Sequence, residues 1–590
     1  MQGGATEERR STGRGKPGRG WLVAAGLALA AGLGVRLYDL TDAPLDFHET
    51  RQLGSAIIAR GMYYQLDARA DPQRRAEAIE LWHAAPTYEP PLQERLVALL
   101  YLATGAERLW IARIVASVIW CLGGIGVWSA GRRIAGAAGG AAGLGYFVLL
   151  PYGIVASRSF QPDPAMVALI VFSVLAMLRW LEHPSWGRAL AAGALAGLAI
   201  LVKAVAVFPV LGALAGAGLW GLGLRAAARS RQLWVLAVLS LAPAGLYHLL
   251  FIQNRAEGLF AFWVTSFTGL WTEPSFYVRW VQMAKGVVGF GALLIALLGV
   301  IAAPRGGARG LLAGAWIGYG LYGFALPYQV MTHDYYHLML IGLVALSLAS
   351  ALHPALERAA RAGGEWRLAL IGVLVFAAAL PIWDARVTFA QSDYRPEAGG
   401  WRRLGAALPR DGDYMALTHA YGMRLAYYGW LQTTPWPTAA DLSLETLRGQ
   451  PAPDYAAEFA RRTHGKRYFL VTLFDELGRQ PELRTLLYEG FEIAAEGDGF
   501  ILFDLQRPRA PAEDRPGAGA VGEDRDLFGA GDPTAGEEGW RLSVLPGGTA
   551  CVLRRASPQA KVHSARGQAV PRRTPRLEAA GLPADADCPG

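Results

Sequence analysis

The chain has 590 residues, of which 53% are hydrophobic and only 18% are charged, and its mean hydropathy is +0.24. An average globular chain is roughly one quarter charged, so this composition argues against a string of soluble domains. The net charge of +8 does not indicate a nucleic-acid partner, because the basic residues cluster between apolar blocks and at the two ends of the chain.

Apolar blocks of about 17–22 residues recur, and each can cross a hydrocarbon core roughly 30 Å thick. The first block, residues 21–35, follows a basic leader at residues 1–20 that we predict to be disordered. No convincing small-x-small cleavage site accompanies this block, so we interpret it as a retained helix and not as a signal peptide. The sequence therefore predicts an all-α polytopic membrane protein with about eleven transmembrane helices. The ten further blocks lie near residues 109–130, 134–156, 164–181, 189–204, 205–224, 232–252, 286–303, 310–327, 335–352 and 367–383.

Residues 92–105 are also apolar, but about 14 residues with Glu94 and Arg95 among them favour an interfacial or re-entrant segment. If this segment does not cross the membrane, every short basic cluster falls on the same face of the membrane as the basic leader, as the positive-inside rule requires. We therefore predict a cytoplasmic amino terminus. The clusters are Arg132 with Arg133, Arg188, Arg225 with Arg229 and Arg231, Arg305 with Arg309, and Arg358 with Arg361 and Arg367.

The periodicity changes after the last apolar block. Residues 467–472 and 500–505 are typical of strands, and residues 481–488 are typical of a helix. We predict a transmembrane domain at residues 21–384, followed by a small extracytoplasmic α/β domain at 385–506. Residues 507–590 are of low complexity and are predicted to be a disordered tail.

Ionisable side chains at a membrane boundary are candidates for function, because burying them is costly. They are concentrated on the predicted outer face, in a first loop (residues 39–91), a turn (157–163) and a last stretch (328–336) with its neighbour His337. We expect these three segments to meet in one water-facing cleft. Their ionisable residues are Asp42, Asp46, His48, Glu49, Arg51, Arg158, Asp163, His333, Asp334 and His337.

Structural alternatives exist for the acidic candidates. Asp46 and Glu49 have the spacing of a capping box before a helix that runs to about Met62. Asp163 followed by Pro164 is a good helix start with Asp163 as the N-cap.

The basic candidates also have alternatives. His333 and His337 are spaced to bind a metal if that stretch is helical, but no third ligand is evident. Lys203 can reach the interface from the end of its span or neutralise an anionic lipid head. Small residues at four-residue spacing predict close helix packing, namely Gly139 with Gly143, Gly193 with Gly197, and Gly212 with Gly216.

A family resemblance rests on an ordered set of motifs. Residues 46–52, Asp-Phe-His-Glu-Thr-Arg-Gln, with residues 59–62 resemble the first-loop motif of bacterial polyprenyl-phosphate-sugar-dependent glycosyltransferases. These are the protein-mannosyltransferase and aminoarabinose-transferase relatives with the GT-C fold, of the family 39 and 83 type. The similarity covers roughly residues 20–350. It continues through Tyr88 to Leu92, Gly131 to Arg133, Ser157 and Arg158 to Asp163, Gly197 to Lys203, and His333 to His337.

The resemblance implies a GT-C-like enzyme of the bacterial cytoplasmic membrane. The donor is expected to be a sugar on a polyprenyl phosphate, and the acceptor a protein, a lipid or a cell-wall polymer on the extracytoplasmic face. The resemblance assigns no cofactor and leaves a divalent metal open. The resemblance implies that a carboxylate of the first loop acts as the base and that Asp163 positions the acceptor. The implied catalytic residues are Asp46, His48, Glu49 and Asp163, and the implied phosphate-binding residues are Arg51, Arg158, Lys203, His333 and His337.

Two departures from the family pattern affect the site. His48-Glu49 stands where relatives typically have Asp-Glu, so the base can be Asp46, His48 or Glu49. Glu89-Pro90-Pro91 stands where many relatives have Lys-Pro-Pro, which removes one expected phosphate contact.

Two other functions are alternatives to the transfer of a sugar. A lipid-linked sugar flippase or transporter is disfavoured, because no internal repeat is evident and the candidate groups lie at span ends. A non-catalytic membrane assembly protein is the third hypothesis.

Overall fold

A computed structural model describes residues 18–87, 89–252, 266–447, 454–497, 499–509, 540–544 and 551–555. The predicted basic leader therefore lies almost wholly outside the described residues, as does most of the predicted tail. The chain divides into two compact units. The first holds the membrane helices, the first loop and most of the sheet, and the second holds a two-stranded hairpin from the tail region.

Each of the eleven predicted apolar blocks is helical in the structure. Several blocks are not single straight helices: they break at Leu150, at Ala204–Ala206 and at Gly289, or pass into π-helical turns at Ala217–Leu222 and His248–Ile252. The membrane-region helices are Arg19–Arg36, Leu109–Ala135, Ala137–Leu149, Pro151–Ala156, Asp163–Glu182, Trp186–Val202, Val207–Gly216, Leu224–Arg229, Arg231–Tyr247, Pro274–Val288, Phe290–Ala302, Gly307–Ala325, Pro327–Thr332, Leu338–Arg361 and Gly364–Gln391.

Among the described residues, six helical segments are long and apolar enough to cross a membrane, or seven if a pair bent by 93° counts as one span. Helices Ala137–Leu149 and Trp186–Val202 are apolar but shorter. Large apolar side chains such as Leu368 (70% exposed) and Phe376 (64% exposed) face outward, which water does not favour and lipid does. The chain is a multi-pass membrane protein. Not every one of the eleven predicted apolar blocks forms a helix long enough to span the membrane by itself. The six segments are Leu109–Ala135, Asp163–Glu182, Ala204–Leu222, Arg231–Phe251, Asp334–Arg361 and Gly364–Ala407, and the bent pair is Pro274–Val288 with Phe290–Ala302.

The predicted small-residue pairs do permit close helix packing. A Cβ at Gly143 would lie 2.5 Å from the backbone oxygen of Ala345, and Gly139 meets Ala349 in the same way. Gly193 and Gly197 approach the helix Arg231–Tyr247, and Gly212 and Gly216 approach the backbone of Gly307–Ala325. In lipid, no hydrophobic effect holds helices together. Small residues let two helix backbones approach closely, so that van der Waals packing can hold them together.

Substituting one of these glycines tests the packing. We expect Gly143→Ala to destabilise the protein by about 1–3 kcal/mol, because the added methyl group forces two helix backbones apart. Gly145 lies on the same helix, and a methyl group added there would meet no atom within 4 Å, so Gly145→Ala is the matched control. Thermal unfolding in detergent should show a lower midpoint for the first variant alone. Equal midpoints for both variants would contradict the assigned packing.

The first loop contains two helices, Glu49–Leu66 and Pro72–Ala84, and Leu92–Thr104 follows it. Leu92–Thr104 has 13 residues and so extends about 20 Å, which is shorter than the hydrocarbon core. This length agrees with the prediction that the segment does not cross.

The C-terminal part contains five strands, which are β1 Tyr414–Leu417, β2 Thr434–Pro435, β3 Tyr468–Val471, β4 Phe491–Gly497 and β5 Phe500–Pro508. They form one sheet with the order β2-β1-β3-β5-β4. Strand β1 is parallel to β2 and β3, whereas β3 and β5 are antiparallel.

The predicted strands and helix of this part are confirmed at β3, β5 and Pro481–Gly490, and apolar side chains such as Phe469 and Phe503 form the core. The helices are Arg395–Ala407, Met423–Tyr428, Ala439–Leu447, Tyr455–Thr463, Phe474–Gly478 and Pro481–Gly490.

This domain contacts the first loop. The Arg60 guanidinium donates to the backbone oxygen of Tyr427 at 2.6 Å, and Arg395 pairs with Asp39. The first loop and the α/β domain therefore lie at the same end of the helices, as the predicted sidedness requires.

In the second unit, β6 (Trp540–Val544) and β7 (Cys551–Arg555) pair as antiparallel strands. They lie in the stretch that the sequence predicts to be disordered. The rest of the predicted tail beyond residue 509 is outside the described residues.

Candidate active site

The first-loop helix begins at Glu49 directly after a strained residue, His48. The backbone of His48 has φ 44° and ψ 59°, a left-handed conformation that costs a residue with a side chain roughly 1–3 kcal/mol. No side chain caps this helix, so the predicted capping box of Asp46 and Glu49 is wrong. Asp46 is instead held by side-chain donors from Gln52 (3.2 Å) and Arg113 (3.1 Å).

The imidazole of His48 is paired with Asp334 from the last outer segment. His48 Nε2 lies 2.6 Å from Asp334 Oδ1, and the ring packs against Phe47 and against Tyr335, whose centroid is 4.4 Å away. The side chains of His48 and Asp334 are 30% and 39% exposed, so the pair remains reachable from solvent. A carboxylate in this position orients the ring.

Asp163 and Lys203 form a second pair, which is buried. Lys203 Nζ lies 2.7 and 2.9 Å from the two carboxylate oxygens of Asp163, and it faces the rings of Tyr335 and Tyr336 at about 5 Å. Asp163 opens one helix and Lys203 ends another, so each charge also complements its helix dipole. The predicted N-cap role of Asp163 is wrong, since the cap position is Pro162 and the carboxylate is used by Lys203. Lys203 likewise does not reach out to the interface.

The three predicted segments do converge. Besides the His48–Asp334 pair, the backbone N–H of Phe160 donates to Gln52 Oε1 at 3.1 Å and joins the first loop to the second turn. Burial alone lowers the pKa of Arg51, but Glu89, and then Tyr335 and Asp163, raise it above its usual value. Arg51 is thus electrostatically coupled to both other segments.

The buried pair yields a stability prediction. Asp163→Asn leaves the Lys203 ammonium buried without its counter-charge, so we expect a loss of about 3–5 kcal/mol. The double variant Asp163→Asn with Lys203→Met removes both charges and should regain much of this loss. Thermal unfolding midpoints in detergent measure both effects. A single variant as stable as the wild type would show that the pair is not a desolvated ion pair.

A cavity of about 330 Å³ is lined by Thr50, Pro162 and Val202, which are close in the sequence to the members of these pairs, but not by the paired residues themselves. One wall is apolar and comes from membrane helices, and the other holds Arg51, Glu89 and Glu94. Arg51 Nη2 donates to both Glu89 oxygens at 2.8 Å, and Ser55 Oγ donates to Glu94 at 2.6 Å. Burial raises the pKa of the Glu94 carboxyl, although the Ser55 hydrogen bond opposes that rise.

Asp46 and Arg158 lie in a different, water-sized pocket of about 30 Å³ with Asp39, Asp42 and Arg113. Arg158 donates to the backbone oxygens of Tyr38 (2.9 Å) and Asp39 (2.8 Å), and burial followed by the Arg113 charge lowers its pKa to about 10. Arg158 thus holds the start of the first loop in place. The sequence predicts one cleft, but the candidate residues Arg51 and Asp46 lie in two different pockets.

The two later histidines do not form a metal pair. Asp334–His337 is one turn of 3-10 helix, preceded by His333, so the α-helical spacing assumed for the pair is absent. His337 is fully buried, and its two ring nitrogens bond to Tyr319 and to the backbone oxygen of Val330. In the described part of the chain no group of three or more His, Cys, Asp or Glu residues could hold a metal ion. His333 bonds to Thr332, and burial lowers the pKa of its ring.

Glu49 is engaged by the α/β domain. Arg424 pairs with Glu49 and also with Glu397, which lies on the helix Arg395–Ala407. Met423, the residue before Arg424, lines the 330 Å³ cavity. Of the three base candidates, Asp46 and Glu49 are therefore neutralised by arginines, whereas His48 is backed by a carboxylate.

Sequence reasoning missed Arg113 and Arg424 and did not assign a role to Glu94. Arg113 lies inside an apolar block, and an ionisable residue there is a signal that could have been used. Arg424 lies in a water-soluble domain where an arginine is ordinary, so no signal marks it.

Comparisons with known proteins agree with this architecture. Residues 88–248 match the model of the family described as dolichyl-phosphate-mannose-protein mannosyltransferase. No curated protein sequence matches the chain. The structure of ArnT from Cupriavidus metallidurans bound to undecaprenyl phosphate is similar, with a TM-score of 0.52 and 17% identity, over 82% of this chain and 98% of that one. The Archaeoglobus fulgidus oligosaccharyltransferase in the apo form is similar with a TM-score of 0.51 and 13% identity, over 82% of this chain and 74% of that one.

These similarities establish the class. The chain is a polytopic membrane protein with the GT-C fold, and the resemblance predicted from the sequence is confirmed at that level. The family match includes Asp163 and Lys203 but not the first-loop motif at residues 46–62 or His333 to His337.

Proposed function

We propose that the chain is an integral-membrane glycosyltransferase that moves a sugar from a polyprenyl phosphate to an acceptor outside the bacterial cytoplasm. The observation that carries this proposal is the convergence of the His48–Asp334 pair and the Asp163–Lys203 pair on the ring of Tyr335. Residues close to these pairs in the sequence, namely Thr50, Pro162 and Val202, line an amphipathic cavity. The solved relatives give further support, because one holds undecaprenyl phosphate and an archaeal oligosaccharyltransferase holds a dolichol-phosphate with an inhibitory peptide.

The proposed membrane is the bacterial cytoplasmic membrane, with a cytoplasmic amino terminus and the α/β domain outside. The acceptor is a protein, a lipid or a cell-wall polymer, and the sugar is a hexose or a pentose. The distribution of short basic clusters supports this orientation.

In the proposed reaction His48 is the general base. Its ring takes the proton from the acceptor nucleophile while that atom attacks the anomeric carbon of the sugar. The bond from this carbon to the phosphate oxygen breaks, and the electron pair leaves with the polyprenyl phosphate. Asp334 is a positioning residue, since it acts through His48.

The departing phosphate needs nearby positive charge more than it needs a proton. Arg51 and Lys203 are the proposed sources of that charge. Each already pairs with a carboxylate, Glu89 and Asp163 respectively, so the phosphate shares these cations with the protein. Arg158, His333 and His337 have less support as phosphate ligands, because their polar atoms are largely used within the protein.

Base substitution tests the mechanism. His48→Gln should lower the turnover number by about 10²–10⁴-fold, the range that a general base contributes. Asp334→Asn should lower it less and Asp334→Glu should restore part of the loss, because a carboxylate again orients the ring. The measurement is release of radiolabelled sugar from a polyprenyl-phosphate donor by the purified chain.

His83→Gln is the matched control, since His83 is an exposed histidine of the same first loop. Full turnover in His48→Gln, combined with loss in Asp46→Asn or Glu49→Gln, would move the base to the carboxylate concerned. Translocation of the labelled lipid across proteoliposomes without turnover would instead identify a flippase.

A further inference from the structure

The helix Pro274–Val288 lies almost at a right angle to the apolar helix that follows it. The chain bends by 93° between Pro274–Val288 and Phe290–Ala302. Gly289, between the two helices, has φ 79°, a left-handed conformation that glycine adopts without strain. A helix that turns away from the direction of an adjoining span at its end does not cross the membrane, and its natural place is the surface of the bilayer.

The surface of this helix divides into three strips at 3.6 residues per turn. One strip is buried in the protein, and the other two are exposed but differ in polarity. A helix that has one side for the protein, one for lipid and one for water suits the membrane–water interface. The buried strip is Phe276, Ala284 and Val287, the exposed apolar strip is Tyr277, Val278 and Val281, and the exposed polar strip is Ser275, Arg279 and Gln282.

Exposed aromatic rings continue the apolar strip onto a neighbouring membrane helix. Phe324, near the end of Gly307–Ala325, has its ring centroid 6.5 Å from that of Tyr277 and 6.4 Å from that of Trp271. The Tyr277 hydroxyl donates to the backbone oxygen of Trp271 at 2.9 Å. Tyr and Trp concentrate at membrane–water interfaces, because they combine an apolar body with a polar tip. The cluster therefore marks the level of the headgroups.

Two basic side chains lie on the exposed surface of the helix. Arg279 belongs to the polar strip, and Lys285 follows Val281 by four residues and so continues the apolar strip, from which its long side chain reaches towards the interface. Neither forms an ion pair with another of the described residues. The only acidic residue at positions 266–290 is Glu273, which precedes the helix and is about 18 Å from Lys285 along its axis. The helix surface thus carries net positive charge, which complements anionic headgroups.

The buried side of the helix is connected to the candidate active site through Trp280. Its indole N–H donates to the hydroxyl of Tyr319 at 2.8 Å, and that hydroxyl lies 2.7 Å from His337 Nδ1. His337 Nε2 bonds to the backbone oxygen of Val330. His337 is the last residue of the 3-10 turn that begins with Asp334, so the position of the helix bears on the segment that holds the partner of His48.

We propose that the helix Pro274–Val288 is an anchor that docks on the phospholipid headgroups at the side of the first loop and binds anionic lipid through Arg279 and Lys285. The apolar strip enters the lipid, and the polar strip faces water. Because Trp280 bonds to Tyr319 on the opposite side of the helix, docking also holds the segment of Asp334 in place. This role goes beyond the proposed transfer of a sugar and does not depend on it.

Amide hydrogen exchange of the full chain in nanodiscs tests the docking. One set of discs contains phosphatidylcholine alone, and the other contains an equal mixture with phosphatidylglycerol. Peptides that cover residues 274–288 report on the helix. We expect their exchange to be about tenfold or more slower with phosphatidylglycerol, because each basic side chain near an anionic surface strengthens docking about fivefold.

Paired charge variants locate the effect. Arg279→Gln with Lys285→Gln removes both cations from the helix and should abolish most of the slowing by phosphatidylglycerol. The matched control is Arg461→Gln with Arg479→Gln, which removes two exposed arginines of the α/β domain, and it should retain the wild-type response. Equal exchange in the two kinds of disc, or the same loss in both paired variants, would overturn the proposal.

A further variant tests the hold on the segment of Asp334. In the wild type, phosphatidylglycerol should also slow exchange in peptides that cover residues 327–337. Trp280→Phe keeps a ring in the protein but removes the N–H that bonds to Tyr319, so the response at 327–337 should be lost while that at 274–288 persists. An unchanged response at 327–337 would show that docking does not hold this segment, and would overturn that part of the proposal.

Other occupants of the surface give different results. Slowing that inorganic phosphate reproduces in phosphatidylcholine discs would overturn the proposal in favour of a free anion. Protection that rises with protein concentration in detergent, without anionic lipid, would overturn it in favour of a second copy of the chain. None of these measurements uses a sugar donor or an acceptor, so their failure leaves the proposed function intact.

Discussion

The site depends on a buried ion pair that sits where two helices end. Asp163 and Lys203 are almost inaccessible to solvent, and in such surroundings neither charge is tolerable alone. The pair therefore fixes the start of one helix against the end of another, and the Lys203 ammonium in turn holds Tyr335 and Tyr336 over it. The same segment brings Asp334 to His48, so the geometry of the proposed catalytic cluster follows from the need to satisfy two buried charges.

Buried arginines impose a similar order on the first loop. Arg113 and Arg158 bond to backbone oxygens at residues 38, 39 and 43, and Arg36 is fully buried and donates to Ser157 and to the backbone of Val148. A guanidinium has five donors in a rigid plane, so one side chain can tie several loop carbonyls together. The left-handed backbone of His48 is held between these attachments and the helix that follows.

The fold was largely predictable from the sequence because lipid demands long apolar helices, and every apolar block is helical. The number of full-length spans was not predictable, since hydropathy does not reveal a 93° bend or a π-helical turn. The ionisable residues of the outer face also identified the segments that meet. Their pairing could not be predicted: the choice between Asp46 capping a helix and Asp46 binding Arg113, for example, depends on contacts between positions 67 residues apart.

The pairing of Glu49 with Arg424 limits how early the site can form while the chain is being synthesised. These two residues are 375 positions apart, and Met423 forms part of the cavity wall. The segment that carries Arg424 is synthesised after all the membrane helices, the last of which is Gly364–Gln391. The Glu49–Arg424 pair and the Met423 side of the cavity wall can therefore form only after every membrane helix has been synthesised and the α/β domain has folded against the first loop.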